Sequence, residues 1–190
     1  MTPPLVLATR NAHKVRELAR LLGGGVELTA LPADVEVPQE IGDTYAANAL
    51  IKARAAAAAT NRAAIADDSG IGAEALGWRP GVRSARYAGE SATDGDNREK
   101  LKQEAPPGSA LRYVCVIAHV DDDGTELLFE GTCTGTLAPA ERGANGFGYD
   151  PLFVPDGEQR TMAELSDAEK DAISHRGRAA RALAAWLSAG

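Results

Sequence analysis

The 190-residue chain carries 20 Lys+Arg against 27 Asp+Glu, a formal net charge of −7, and is 44% hydrophobic and 25% charged. That is the make-up of an ordinary globular chain with enough apolar material for a core, which excludes intrinsic disorder, collagen and a disulfide scaffold. The acidic balance argues against a nucleic-acid surface, and without an 18-residue apolar run or a signal-peptide pattern a cytoplasmic protein with no membrane partner is expected.

The length fits a single domain over residues 1–190. Two cysteines, Cys115 and Cys133, read as reduced core residues, and His13, His119 and His175 show no metal-ligand spacing. Along the chain, PPLVLAT (3–9) reads as a short buried strand. NAHKVRELARLL follows, with Val15, Leu18, Ala19 and Leu22 at helical spacing and Gly23-Gly24-Gly25 to stop the helix. Residues 26–31 (VELTAL) form a candidate second strand. Asp43 or Thr44 caps an Ala-rich helix over 45–60. After Asn61, AAIADDSG reads as a short strand ending in two carboxylates and a Ser-Gly turn. Residues 77–92 are Gly- and Arg-rich and aperiodic, which predicts a long loop. Thr93 opens a helix to Glu104 that Pro106-Pro107 ends. LRYVCVIAHV and TELLFEGTCTGTL, joined by DDDG, predict an antiparallel hairpin. The Gly-rich RGANGFGYDP precedes Phe153, and a terminal helix from Ser174 presents Leu183, Trp186 and Leu187 as its apolar face. The order of elements predicts an α/β fold with a mixed sheet.

Four stretches hold residue types suited to polyphosphate chemistry. Thr9 to Lys14 places small polar groups and a lysine where a strand gives way to a helix N-terminus, which favours an anion. The glycines of a P-loop are missing, and a helix cap with a solvated lysine also accounts for the pattern. Thr44, Asn48 and Lys52, spaced by four, share one stripe of the second helix: either a surface facing a polyanion or a solvated face. Glu40 lies just upstream. Asp67-Asp68-Ser69-Gly70 is a carboxylate pair suited to Mg²⁺ or to activating a water, or a plain turn. Gly146 to Pro151 and Ser174-His175-Arg176 offer aromatics and donors for a base, or a loop with core aromatics and a capped helix. The arginines at 79, 83 and 86 suit a solvated or substrate-side loop better than a nucleic-acid surface.

Together, LATRNAHKVREL, EIGDTYAANALIKA, ADDSG, RPGVRSARYAG, GFGYDPLFVP, TMAEL and EKDAISHRGRA resemble the inosine triphosphate pyrophosphatase family, the non-standard purine NTP (dITP/XTP) pyrophosphatases, nearly end to end. Tyr45 stands where that family more often has Phe. The resemblance implies a two-lobed fold around a long mixed β-sheet flanked by helices, an active site in the cleft between lobes, and a homodimer. It implies Mg²⁺-dependent hydrolysis of ITP, dITP, XTP or dXTP to the monophosphate and pyrophosphate, with no nucleophilic Ser or Cys. Carried over residue by residue, Thr9, Arg10, Asn11, Ala12, His13 and Lys14 hold the triphosphate with Lys52. Asp68 is the general base and a metal carboxylate, Glu40 joins it at the cation with Asp67 nearby, and Ser69 touches substrate. Phe147, Gly148, Tyr149 and Asp150 form the base-side loop, and Lys170, His175 and Arg176 read the base. A phosphohydrolase acting on another nucleotide and a non-catalytic nucleotide-binding module are the competing readings.

Overall fold

The computed structural model describes residues 4–23 and 25–189; Pro3, Gly24 and Gly190, named above, lie outside them. The chain divides into two compact units. The first takes the chain up to Asp68, Cys115–Gly131 and the chain from Arg176 on, and the second takes Ser69–Val114 and Thr132–His175.

In the first unit, β1 (Leu5–Leu7) pairs in parallel with β2 (Leu28–Ala30) and with β3 (Ala64–Ala73). Side chains alternate across a strand, so odd and even positions meet different helices. Val6, Ala8, Ala64 and Ala66 pack with Ala49, Ala53, Ala56 and Ala57 of α2 (Tyr45–Thr60). Leu5, Leu7 and Ile65 pack instead with Leu18 and Leu22 of α1 (Ala12–Leu22) and with Ala179, Ala180 and Leu183 of α5 (His175–Ala189). Thr44 caps α2, its hydroxyl accepting from the Ala47 amide at 3.1 Å, and Asn61 ends it in the left-handed region at φ 49°.

Two expectations fail here. The apolar stripe of α1 is rotated: Val15 and Ala19 are exposed, while Glu17 is buried beside Leu18. Glu17 is drawn in by Arg176, whose guanidinium donates to its carboxylate at 2.6 Å. Asp67-Asp68-Ser69-Gly70 is no turn either, because β3 runs straight through it for ten residues. The alternation that separates the two apolar clusters also sends Asp67 to the α1/α5 side and Asp68 to the α2 side, so each carboxylate finds its own partners.

In the second unit, β4 (Arg79–Pro80) pairs antiparallel with the end of β3, Gly72 opposite Pro80. The segment read as one long loop contains a 3₁₀ turn over Gly81–Arg86. Buried Ser84 fixes it, accepting from the Ile71 amide at 2.8 Å and donating to the Gly81 carbonyl at 2.6 Å. A capping box of Thr93 and Asp96 starts α3 (Asp94–Glu104). The hairpin strands β5 (Ala110–Val120) and β6 (Glu126–Leu137) are neighbours in the sheet. They contribute to both units, as β3 does. β7 (Phe153–Pro155) pairs antiparallel with β6. A further helix, α4 (Asp167–Ile173), is too short to show periodicity in the sequence; Ser166 and Glu169 cap it. Ser174 is extended (φ −67°, ψ 156°), so it separates α4 from α5 and the terminal helix begins at His175. The full sheet has the mixed order β2-β1-β3-β5-β6-β7, with β4 on β3.

Candidate active site

The first unit gathers the phosphate-type residues around the middle of β3. At the start of α1, the Asn11 carboxamide accepts from the amides of His13 (2.9 Å) and Lys14 (3.3 Å), and the Thr9 hydroxyl accepts from the Asn11 amide (3.2 Å). The capping reading of Asn11 therefore holds, and the turn it builds delivers Lys14 to Asp67. The Lys14 ammonium sits 3.1 Å from Asp67 Oδ2. The Arg10 side chain is tied to the carbonyls of Leu31, Pro32 and Val35 at 2.5 to 2.9 Å. It pins that loop. His13 meets Arg16 at 2.9 Å.

Of the α2 stripe, the capping Thr44 is exposed while Asn48 and Lys52 are buried, so the solvated-face alternative falls for those two. Asn48 is fully buried: its carbonyl oxygen accepts from the Gly42 amide at 2.7 Å and its amide donates to Asp68 Oδ2 at 2.9 Å. One turn on, the Lys52 ammonium donates to Glu40 Oε1 at 2.5 Å and to the Asp67 carbonyl at 2.7 Å.

Asp67 is the hub. Its Oδ2 accepts from Lys14, from Arg176 Nε and Nη2 at 3.2 and 3.1 Å, and from the Cys115 thiol at 3.9 Å. Burial alone would raise its pKa, but Lys14, Arg176 and Lys52 outweigh that and hold the carboxyl well below the usual range. Cys115, buried against this anion, has its thiol pushed up to about 12, which makes it a core donor and not a nucleophile. Asp68 moves the other way: burial, then the nearby negative charge of Glu40, raises its pKa against the pull of Lys52 and Asn48. Adjacent carboxylates with opposite shifts are the pattern expected when one is a fixed counter-ion and the other a proton acceptor.

The second unit gathers the base-type residues. Asp150 Oδ2 accepts from Lys170 Nζ at 2.6 Å and from the Phe147 amide at 3.0 Å. Gly146 lies at φ 74°, and a Cβ there would sit 2.0 Å from Asp150 Oδ2, so only glycine leaves room for the pair. The Lys170 ammonium also lies over the Phe147 ring, 5.1 Å from its centroid. The Gly148 amide donates to Asp94 and its carbonyl accepts from Arg98, while the Tyr149 hydroxyl donates to the Ser84 carbonyl. Ser69 lies half-buried in β3, and His175 stacks on Tyr113 with centroids 4.3 Å apart.

Thr9 to Lys14, Glu40, Lys52 and Asp68 thus fall in one unit, and Ser69, Phe147 to Asp150, Lys170 and His175 in the other. Arg176, grouped above with the base-reading residues, belongs to the first unit and is occupied by Asp67 and Glu17. Sequence reading missed Glu17, Tyr113 and the bridging role of Asn48. The i,i+3 spacing of Lys14 and Glu17 is a readable signal for the first; nothing local marks Tyr113.

A mixed α/β protein whose central strand carries one aspartate salt-bridged to Lys14 and Arg176 and a second hydrogen-bonded to Asn48 is the class this fold and site define. The Ham1 family model matches residues 5–186. A dITP/XTP pyrophosphatase of Frankia alni is 48% identical, covering 96% of each chain, and one of Symbiobacterium thermophilum is 50% identical, covering 92% of this chain and 90% of that one. Among solved structures, a HAM1 protein from Coxiella burnetii superposes with a TM-score of 0.89 at 39% identity, covering 98% of this chain and 99% of that one. A nucleoside-triphosphatase (dITP/XTP pyrophosphatase) from Mycobacterium abscessus gives 0.75 at 45% identity, covering 97% and 99%. The chain belongs to the Ham1 family.

Proposed function

We propose that the protein hydrolyses non-standard purine nucleoside triphosphates, ITP, dITP, XTP and dXTP, to the nucleoside monophosphate and pyrophosphate. The names of its relatives support the reaction class. The observation that supports the mechanism is the placement of the two aspartates on one strand, Asp67 paired with Lys14 and Arg176 and Asp68 held by the buried Asn48 amide.

Asp67 stays anionic and orders the cations. Lys14 and Lys52 converge on it from α1 and α2, near the exposed N-terminus of α1, where amides and ammonium groups suit a polyphosphate. Asp68, its carboxylate oriented by the buried Asn48 amide, takes the proton from a water as that oxygen bonds the α-phosphorus. The bond from the α-phosphorus to its bridging oxygen breaks, and pyrophosphate leaves with its charge balanced by the lysines. Positioning and electrostatics carry such a transfer.

Glu40 and Asp68 are the residues that would hold Mg²⁺. Their mutual repulsion, which helps raise the Asp68 pKa, is relieved by a divalent cation. No cluster of three or more His, Cys, Asp and Glu side chains able to hold a metal occurs among the described residues. That suits Mg²⁺, which uses one or two carboxylates and completes its shell with water and substrate oxygens. When bound, it would neutralise phosphate charge.

On the base side, Lys170 is held by Asp150, and His175 is fixed by stacking. Donors aimed at the 6-oxo group of hypoxanthine or xanthine are left facing a donor when the base is adenine, a mismatch costing about 1–3 kcal/mol. We assign this reading to Lys170 and His175, while Arg176 holds Asp67 and Glu17. A homodimer and a cytoplasmic location belong to the same proposal; sedimentation equilibrium tests the former.

The deciding experiment is a pyrophosphate-release assay with ITP, XTP, dITP, GTP and ATP, with and without Mg²⁺. Pyrophosphate plus monophosphate from ITP and XTP, dependent on Mg²⁺, is the expected result; orthophosphate as the product would make the protein a different phosphohydrolase.

A further inference from the structure

Tyr113 lies on β5, is 6% exposed, and belongs to none of the motifs discussed above. Its two faces of chemistry meet two different base-side groups. The hydroxyl donates to Asp150 Oδ1 at 3.2 Å, the carboxylate oxygen that Lys170 and the Phe147 amide leave to it. The ring stacks flat on the His175 imidazole, at 4.3 Å between centroids and an interplanar angle of 2°. On a further side the ring packs against Phe153 at 4.7 Å. Burial, and then the Asp150 carboxylate, raise the phenol's pKa well above 10, so the hydroxyl remains a donor at any working pH.

We propose that Tyr113 is the positioning residue for base selection, fixing the Asp150–Lys170 pair with its hydroxyl and the His175 ring with its face. The inference rests on the assignment of base reading to Lys170 and His175. Asp150 has two oxygens and three protein donors. The two donors on Oδ2 leave the carboxylate free to pivot about that oxygen, and the bond to Oδ1 stops the pivot. Since the Lys170 ammonium follows Oδ2 at 2.6 Å, its position follows the carboxylate plane. His175 is the first residue of α5, where the stack limits its ring rotation. A single side chain therefore sets the geometry of both donors without touching substrate.

The two contacts separate by substitution. Tyr113→Phe keeps the ring and removes the hydroxyl; Tyr113→Leu removes both. Steady-state kinetics with ITP and ATP on these and on Lys170→Met, with thermal midpoints alongside, test the proposal. For Tyr113→Phe the expected result is a roughly 5- to 10-fold fall in kcat/KM for ITP carried by KM, the size of one ordinary net hydrogen bond. ATP turnover changes by less than about twofold, so the ITP-to-ATP preference narrows. Tyr113→Leu narrows it further. A merely structural tyrosine would lower the thermal midpoint and both substrates' rates together. An unchanged preference in Tyr113→Phe, with Lys170→Met collapsing it, overturns the role of Tyr113 alone. An unchanged preference in Lys170→Met as well overturns the base-reading assignment, and the role of Tyr113 with it.

Discussion

The two units solve the burial of charge differently. In the first, four carboxylates (Glu17, Glu40, Asp67 and Asp68) and three cations (Lys14, Lys52 and Arg176) are buried or half-buried on the two faces of one strand, tied side chain to side chain. In the second, a single buried pair, Lys170 and Asp150, sits among Phe147, Tyr113 and Tyr149, and much of its support comes from backbone groups and aromatic faces. A network of full charges suits a polyanionic tail, whose recognition is electrostatic and tolerant of the base it carries. One oriented ion pair among rings suits a flat heterocycle, which a donor pattern must tell from its neighbours. Affinity for phosphate and choice of base are thus assigned to separate neighbourhoods, and each can be damaged alone.

The largest expected effect is on the first. Asp68→Asn removes the proton acceptor but keeps the shape and the hydrogen bond to Asn48, so pyrophosphate release from ITP falls about 10²- to 10⁴-fold while the thermal midpoint holds. A loss of only a few-fold would move the general base elsewhere. Arg176→Ala tests the same network as structure. It removes the guanidinium that buried Asp67 and Glu17 share, and breaking such a pair typically costs about 3–5 kcal/mol. For a chain of this size that lowers the thermal midpoint by of order 10 °C, measurable by calorimetry. His175→Ala in the second unit should instead leave the fold intact and reduce the ITP-to-ATP preference by roughly 10- to 100-fold. If the preference survives that change, the division of labour between the units is wrong.

The smallest effect is a pH dependence outside both clusters. His119 is buried edge-on to Trp186, 5.0 Å between centroids, its Nδ1 without a hydrogen-bond partner among the described residues. Burial lowers its pKa against the pull of Asp121. The unfolded chain therefore binds a proton from about pH 6.5 downward while the folded one resists. Stability is complete above that value and declines as pH falls towards the folded pKa. Urea midpoints for His119→Asn should fall less between about pH 7 and pH 5.5 than those of the native chain. An equal slope would show that other groups set the acid response.

Much of this was legible locally. Thr44 as a cap, the Ala-rich α2, the Thr93 start of α3 and the hairpin follow from propensity and turn chemistry, which act within a few residues. The motif residues of both neighbourhoods were also nameable, since helix N-termini, lysines and paired carboxylates declare their chemistry by type. What failed at the charged residues did so because the deciding contacts are distant in sequence. The strand through Asp67 and Asp68 looks like a turn because its partners (Lys14 and Arg176 on one side, Asn48 on the other) lie 20 to 109 residues away. Glu17 looks solvated until Arg176 is brought to it, 159 residues along the chain. α4 is too short to declare itself.

The amino-acid order by itself determined the alternation of strands and helices, the caps that bound them and the residue types available for phosphate, water and base, because these depend on near neighbours and intrinsic chemistry. Only the tertiary structure decided which of two adjacent aspartates is paired with Lys14 and Arg176 and which is held by Asn48 beside Glu40. It also decided whether Asn48 and Lys52 face solvent and that Tyr113 joins Asp150 to His175. Burial and the distance to a charge set a pKa and an orientation, and both are properties of residues that meet only when the chain has folded.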